Sequence, residues 1–362
     1  MSVATSEPRP GSAPRQGRAS ADERLAGVSI VARLLQRPEL GALIGALAVY
    51  LLFASFDATP GRLFTTIAGT QNWTDAASTY GIMAVAVALL MIGGEFDLSA
   101  GVMTGTSGLL LGMLITKEQL NVWVAIVLVM IFAALVGVAN GVAVVRTKLP
   151  SFIITLATFF VLRGVDVGVT LLLTNTVRFD IGETAPGFES ARAIFGSTFL
   201  APYNFQDAVL WWVAITVVAT VVLTQTTFGN WIFAVGGDAN AARAVGVPVS
   251  RTKIMLFMYT AMSAALVGVM VALRYKGIQS GQGVGQEFFY IIAAVVGGCL
   301  LTGGYGSAIG ASLGAVIIGL AQIGIIFAGW DSNWYYTFLG VILFLAVGLN
   351  TLVRRRAASS RR

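Results

Sequence analysis

Asp238, Asn240 and Arg243 lie close together in Ala234–Val249, AVGGDANAARAVGVPV, a polar stretch bounded by glycines and set between two long apolar runs. Glu95, Asp97 and Ser99 form a second group in Gly93–Gly101, GGEFDLSAG, and Arg163 and Asp166 a third, three residues apart inside an apolar run. A fourth is the segment Arg274–Gln286, where Gln279, Ser280, Gln282 and Gln286 alternate with Gly277, Gly281, Gly283 and Gly285. None of these groups is a reaction centre. The chain has no histidine, which removes His-based triads, His metal sites and the commonest general base. Its one cysteine, Cys299, lies in an apolar run, so no intrachain disulfide exists. There is no GxxxxGK[ST] loop to hold nucleotide. Neither a metal nor a cofactor is expected. What remains is the chemistry of docking, helix capping and hydrogen bonding to a polar solute, which is that of a transporter and not of an enzyme.

The elements that carry these groups follow from composition. Of 362 residues 56% are hydrophobic and 11% charged, against roughly 25% charged in a soluble domain. The fold class is therefore all-α, a polytopic helical membrane protein. The net charge of +6 does not point to nucleic acid, because most of it lies in two tails and short loops, where it sets topology and grips anionic lipid. Arg9, Arg15, Arg18, Arg24, Arg33 and Arg37 precede the first apolar run, and Arg354, Arg355, Arg356, Arg361 and Arg362 close the chain. Cytoplasmic flanks collect Lys and Arg, so both termini are expected inside and the number of spans even. Residues 1–36 read as a disordered basic tail, 37–353 as the transmembrane domain and 354–362 as a second basic tail. Ten spans are predicted, near 38–56, 79–93, 99–116, 121–144, 151–173, 207–224, 253–274, 288–302, 308–328 and 336–353. Alternation then puts Arg274 and Lys276 outside, against the positive-inside tendency.

The island at 234–249 cannot stay in hydrocarbon, since ionised groups there cost several kcal/mol each. Followed by Arg251 and Lys253, it is expected as a cytoplasmic helix of about a dozen residues, hinged on glycines, inside a loop spanning 225–252. A pattern recurs at Met91–Gly112 and Val295–Gly319: an apolar span, a Gly-Gly break, a short polar turn, then a span with glycines four apart. Such stripes let another backbone approach closely. Broken backbone at membrane depth is tolerated only inside protein or beside a watery cavity, and paired breaks point to a transport pathway. Asp97 is placed to cap the following span, and Arg163 and Asp166 to neutralise one another one turn apart. Candidate pathway residues are thus Glu95, Asp97, Ser99, Arg163, Asp166, Gln279, Gln282, Gly303 and Gly304. Phe288, Phe289, Tyr290 and Trp334 read as interfacial anchors.

GEFDLSAG at Gly94–Gly101, KLPSFIITLATFFVLRG at Lys148–Gly164, AVGGDANAARAVGV at Ala234–Val247 and GGCLLTGGYGSAIGASLGAVIIG at Gly297–Gly319 together resemble the permease subunits of bacterial ABC importers for ribose, xylose and related monosaccharides. The likeness runs in order from about residue 40 to about residue 350. It implies a permease of the cytoplasmic membrane that pairs with a second copy, docks a cytoplasmic ATPase holding the ATP, and receives a sugar or polyol from an extracytoplasmic binding protein. The resemblance also implies that the island is the coupling helix set in a cleft of the ATPase, through Gly236, Gly237, Asn240, Ala241, Ala242, Arg243 and Gly246. Where that family has a second glycine in its first break this chain has Glu95, and Phe96 stands at an isoleucine position. The extra carboxylate calls for inner water or for a partner such as an arginine. The alternative function is an ion-coupled secondary transporter or facilitator. Such proteins bury coupling carboxylates in their spans, whereas the span acids here reduce to Asp166 and the two at the first break.

Overall fold

The computed structural model describes residues 38–359, with side chains over 39–348. The tail expected over 1–36 lies outside the described residues. Thirteen helices are present in that range. In chain order they are α1 (Pro38–Phe56), α2 (Ile67–Ile92), α3 (Ala100–Thr116), α4 (Val122–Thr147), α5 (Ser151–Thr174), α6 (Phe188–Phe195), α7 (Asp207–Gln225), α8 (Thr227–Gly237), α9 (Ala239–Ala244), α10 (Val249–Arg274), α11 (Gln286–Val296), α12 (Ala308–Phe327) and α13 (Trp334–Ser359). Four short strands join them: β1 (Arg178–Asp180), β2 (Thr198–Phe199), β3 (Phe205–Gln206) and β4 (Gly277–Gln279). By length and apolarity α1, α2, α4, α5, α7, α10 and α12 can cross a membrane, while α3, α11 and the Trp334–Gly348 part of α13 are apolar but shorter.

Each of the ten expected spans has its helix, the first with the expected ends 38–56 and the others with shifted ones. The second starts at Ile67 and not near 79, because Asp75 is buried with partners of its own: it accepts the Gln206 N–H at 2.9 Å and the Gln71 amide. The eighth stops at Val296, six residues short of the expected end, where the glycine pair halts it. The last helix continues through Arg354–Arg356 to Ser359, so only 360–362 of the expected C-terminal tail lies outside the described residues. Most enclosed is α2, with 83% of its most apolar window buried against 22% for α1 and α5. It packs on α7, α10, α11 and α12. Its small-residue run Met83–Ala88 lets several helices close around it.

Both Gly-Gly breaks end their helices by the same local device. Gly94 (φ +83°) and Gly298 (φ +95°) adopt the left-handed conformation that side chains disfavour. Each lets two later N–H groups turn back onto the last turn: Gly94 to Met91 O and Glu95 to Leu90 O, Gly298 to Val295 O and Cys299 to Ala294 O. Orphan carbonyls are thereby satisfied without water.

The glycine stripe of α3 meets α10 at Gly108, where an added Cβ would lie 3.2 Å from the Gly268 carbonyl; elsewhere it receives β4 and the irregular backbone that follows. A Cβ on Gly108 would meet Ile278 at 2.8 Å, one on Gly105 the Gln282 carbonyl at 2.2 Å, and one on Gly101 the Gly283 carbonyl at 2.6 Å. At its top, β4 pairs antiparallel with β1, Phe179 opposite Ile278. The stripe of α12 does pack on helix backbone, a Cβ on Gly314 falling 1.9 Å from the Ala293 carbonyl of α11.

Gly105→Ala and Gly314→Ala each force backbone apart, and each is expected to cost about 1–3 kcal/mol. The reading is a lowered thermal unfolding midpoint in detergent. Gly41→Ala, with open space around its Cβ position, leaves the midpoint unchanged.

Candidate functional site

Three glycine pairs far apart in sequence meet at one point on the side where α2 and α11 end. A Cβ on Gly236, at the end of α8, would lie 1.7 Å from the Ile92 carbonyl and 2.6 Å from the Gly304 nitrogen. One on Gly303 would lie 2.8 Å from both the Gly236 carbonyl and the Gly94 Cα, and one on Gly304 2.9 Å from the Gly237 Cα. The Gly304 N–H donates to the Ile92 carbonyl at 2.8 Å, so one break completes the hydrogen bonding of the other. The island expected to hinge on Gly236 and Gly237 is therefore pinned at Gly236. Only Gly237 has open space, and a displacement of α8 is passed through backbone contact to both broken helices.

Short and separate, α9 is the part of the island that faces outward. The sequence suggests one helix of about a dozen residues; the structure has the end of α8 and then six residues, Ala239–Ala244. Asp238 divides them as the N-cap, its Oδ1 accepting the N–H groups of Asn240 (2.8 Å) and Ala241 (3.0 Å). The N–H groups of Ala241 and Asn240 hold this carboxyl below the usual carboxylate range. The far end closes on Gly246 (φ +88°), whose N–H reaches Arg243 O while that of Val247 reaches Ala242 O. Ala242 packs inward against Val235 and Val249. Asn240, Ala241, Arg243 and Gly246 are exposed, as is the apolar Val245 at 79%. Two caps and one buried alanine hold a small rigid knob, with the Arg243 guanidinium at 3.4 Å from Asn240 Oδ1.

The first break is wired into α4, α5 and α10. Phe96 N–H donates to Ser151 Oγ (2.9 Å) and Leu98 N–H to Thr155 Oγ1 (3.0 Å), so hydroxyls of the first turns of α5 replace the lost helical acceptors. Asp97, 1% exposed, accepts the Ser99 N–H (2.8 Å) and hydroxyl (2.6 Å), which orders the turn before α3; the N-cap is Ser99 and not Asp97 as expected, because the carboxylate stays two residues ahead of the helix start. Ser99 in turn accepts from Asn140, whose amide oxygen takes the Thr158 hydroxyl at 2.6 Å. Glu95 is buried and ion-paired with Lys253 in the first turn of α10. The required partner is thus a lysine and not a loop arginine.

Arg163 and Asp166 do not pair. Asp166 turns inward to accept from Thr106 Oγ1 on α3 at 3.0 Å, while Arg163 stays on the exposed face of α5 beside Gly164 and Gly168, whose Cβ positions meet nothing within 4 Å. Adjacent helix positions brought the two near, but burial of only one of them separated their roles. The acids of the spans also exceed the expected set: Asp75 lies inside α2, and Glu287, 4% exposed at the start of α11, accepts from Gly285 N–H and feels the charges of Arg163 and Asp97. Gln279 ends β4 and is exposed, and Gln282 continues into the segment after it. Lys276 pairs with Glu183, and that hydrogen bond and charge hold the Glu183 carboxyl low. Ser151, Thr155, Asn140, Lys253 and Glu287 have no sequence signal of their own, because only the packing of α4, α5, α10 and α11 around the break brings them to it.

Glu95→Gln or Lys253→Met alone leaves a buried polar group unpaired and is expected to lower stability by roughly 1–3 kcal/mol. The double variant is expected to be milder than either, as read from unfolding midpoints of the four proteins. Additive losses would show that the pair does not couple the break to α10.

The family described as "Branched-chain amino acid transport system / permease component" matches residues 69–347. The probable ABC transporter permease protein YphD of Escherichia coli K12 is 33% identical over 90% of this chain and 92% of its own. The ribose import permease protein RbsC of the same organism is 29% identical, covering 83% and 91%, and the fructose import permease protein FrcC of Rhizobium meliloti 28%, covering 77% and 76%. No solved structure matches. A helical membrane domain with paired breaks and a projecting capped knob, similar over most of its length to ABC permeases, belongs to this family of transport-system permease components.

Proposed function

We propose that the chain is the membrane-spanning subunit of an ATP-driven importer for a monosaccharide or related polyol. The observation that carries the reading is the contact of the α8 end with both breaks at Gly94, Gly236, Gly303 and Gly304. A push on the α9 knob reaches the two broken helices through incompressible backbone, which is what a permease powered from outside itself requires. Ala241, Arg243 and Val245 are exposed on that knob and offer a cytoplasmic ATPase a guanidinium fork and an apolar plug. ATP is held by that partner. The sugar class is supported by relatives named for ribose and fructose import, which take solute from an extracytoplasmic binding protein in our reading. Both termini lie in the cytoplasm, and the membrane is the bacterial cytoplasmic membrane.

A second copy completes the pathway. Arg163 is the thirteenth of the 24 residues of α5 and is exposed, flanked by outward Phe160 and Val161. A cation at that depth does not face lipid. It faces a watery path or another protein, and a homodimer built on α5 supplies both. Glu95, Asp97 and Ser99 hold the inner gate in shape instead of touching solute.

In proteoliposomes containing the chain, its ATPase and its binding protein, Arg243→Ala and Gly237→Pro are expected to abolish ribose, fructose or galactose uptake while ATP hydrolysis continues. Arg163→Ala is expected to lower uptake with folding unchanged. Uptake by this chain alone that collapses with an uncoupler would replace this reading by an ion-coupled one.

A further inference from the structure

The outer half of the protein encloses a cavity of about 370 Å³ within a single copy of the chain, apart from the α5 face. Asn72, Thr79 and Tyr80 of α2, Gln282 and Gln286 of the segment after β4, and Gln322 of α12 line it. It reaches down to Thr104 of α3, beside the stripe along which the irregular backbone descends. Polar side chains placed that deep are costly unless something satisfies them. Gln322 Oε1 is buried and has no hydrogen-bond partner.

The carboxylates of the wall are already committed, and the one guanidinium there, Arg274, makes no ion pair among the described residues and lies over the Tyr275 ring, 5.5 Å from its centroid. Asp75 accepts from Gln206 N–H and from the Gln71 amide, Asp207 accepts the Ser197 N–H at 3.0 Å and its hydroxyl, and Arg274 lies within electrostatic reach of Asp75. No uncommitted carboxylate asks for a cation, and no cluster of cations asks for an anion. The groups left over are carboxamides, which donate and accept equally, with the Tyr80 ring as an aromatic face and Gln286 already oriented by the Tyr290 hydroxyl at 2.8 Å. The volume lies in the range of small-molecule sites, ~300–1,000 Å³. We infer that this cavity is a binding site for a neutral polyhydroxylated solute of monosaccharide size, one in each copy of the permease and apart from the path that the second copy completes on α5. The inference rests on the importer reading above and adds a place within one copy, and the side chains there, that hold the solute.

The test uses the full-length permease in lipid nanodiscs, without ATPase or binding protein, and saturation-transfer difference NMR with D-ribose, D-fructose, D-galactose and L-leucine as probes. At least one sugar is expected to give transfer signals, and leucine none. Gln282→Leu and Gln322→Leu are each expected to reduce the sugar signal roughly fivefold or more, the loss of about one hydrogen bond. Because Gln322→Leu removes an unpartnered buried amide, its unfolding midpoint is expected to stay level or rise, which separates lost binding from lost folding. Absence of signal from all three sugars, an equal signal in both variants, or a leucine signal of the same size would overturn the site. Sugar uptake by the complete transporter alongside any of those results overturns the site and leaves the importer reading standing. Sugar binding here with no uptake by the complete transporter leaves the site standing and overturns that reading.

Discussion

Backbone groups released where a helix stops inside a membrane have no water to bond to, and most of this structure is arranged around supplying them with partners. Each break first turns two N–H groups back onto its own helix, using a left-handed glycine. The remaining donors are met from elsewhere: Phe96 and Leu98 by hydroxyls of α5, Gly304 by the carbonyl of Ile92. The short irregular segment after β4 donates from Ser280 to Val177 and otherwise closes on itself, Gln282 N–H onto Gln279, Val284 N–H onto Gly281 and Gln286 N–H onto Gly283, while it lies against the bare backbone of α3. Glycine serves all of these arrangements for one reason: without a Cβ, one main chain can lie against another at hydrogen-bonding range.

The same constraint sorts the charged groups. A buried carboxylate needs a cation, an N–H or a hydroxyl, and Glu95, Asp97 and Asp166 find theirs in Lys253, Ser99 and Thr106. Two of these acids therefore fasten the first break and the third ties α5 to α3. Arg163, with no ion pair among the described residues, lies on the exposed face of the one helix whose hydroxyls hold the first break. The position of α5 is thus tied both to the break and to whatever covers Arg163.

The two ends of the helix array are built differently. Where α2 and α11 end, three main chains touch directly, and α8 and α9 meet through Asp238 with no space at Gly236. Elsewhere α2, α10 and α12 leave a cavity lined in part by carboxamides. Cys299 lies at the close-packed end, buried at the second break with Gly306 against its sulfur.

Much was legible in the sequence. Ten apolar stretches, the glycine pairs that stop two of them and the polar island with Arg243 all follow from hydropathy and local backbone preference, which neighbouring residues decide among themselves. Local rules also explain the errors they made. They joined Arg163 to Asp166 by spacing, began α2 at the first wholly apolar residue and read Gly236 as a free hinge. Each was settled by an atom distant in sequence: Thr106, the Gln206 N–H and the carbonyl of Ile92. The sequence by itself determined which apolar segments form helices, because apolarity and backbone preference act over a few residues. Only the tertiary structure decided which breaks touch, which charges pair and where a cavity is left open, because those depend on main-chain contacts between helices that no periodicity records.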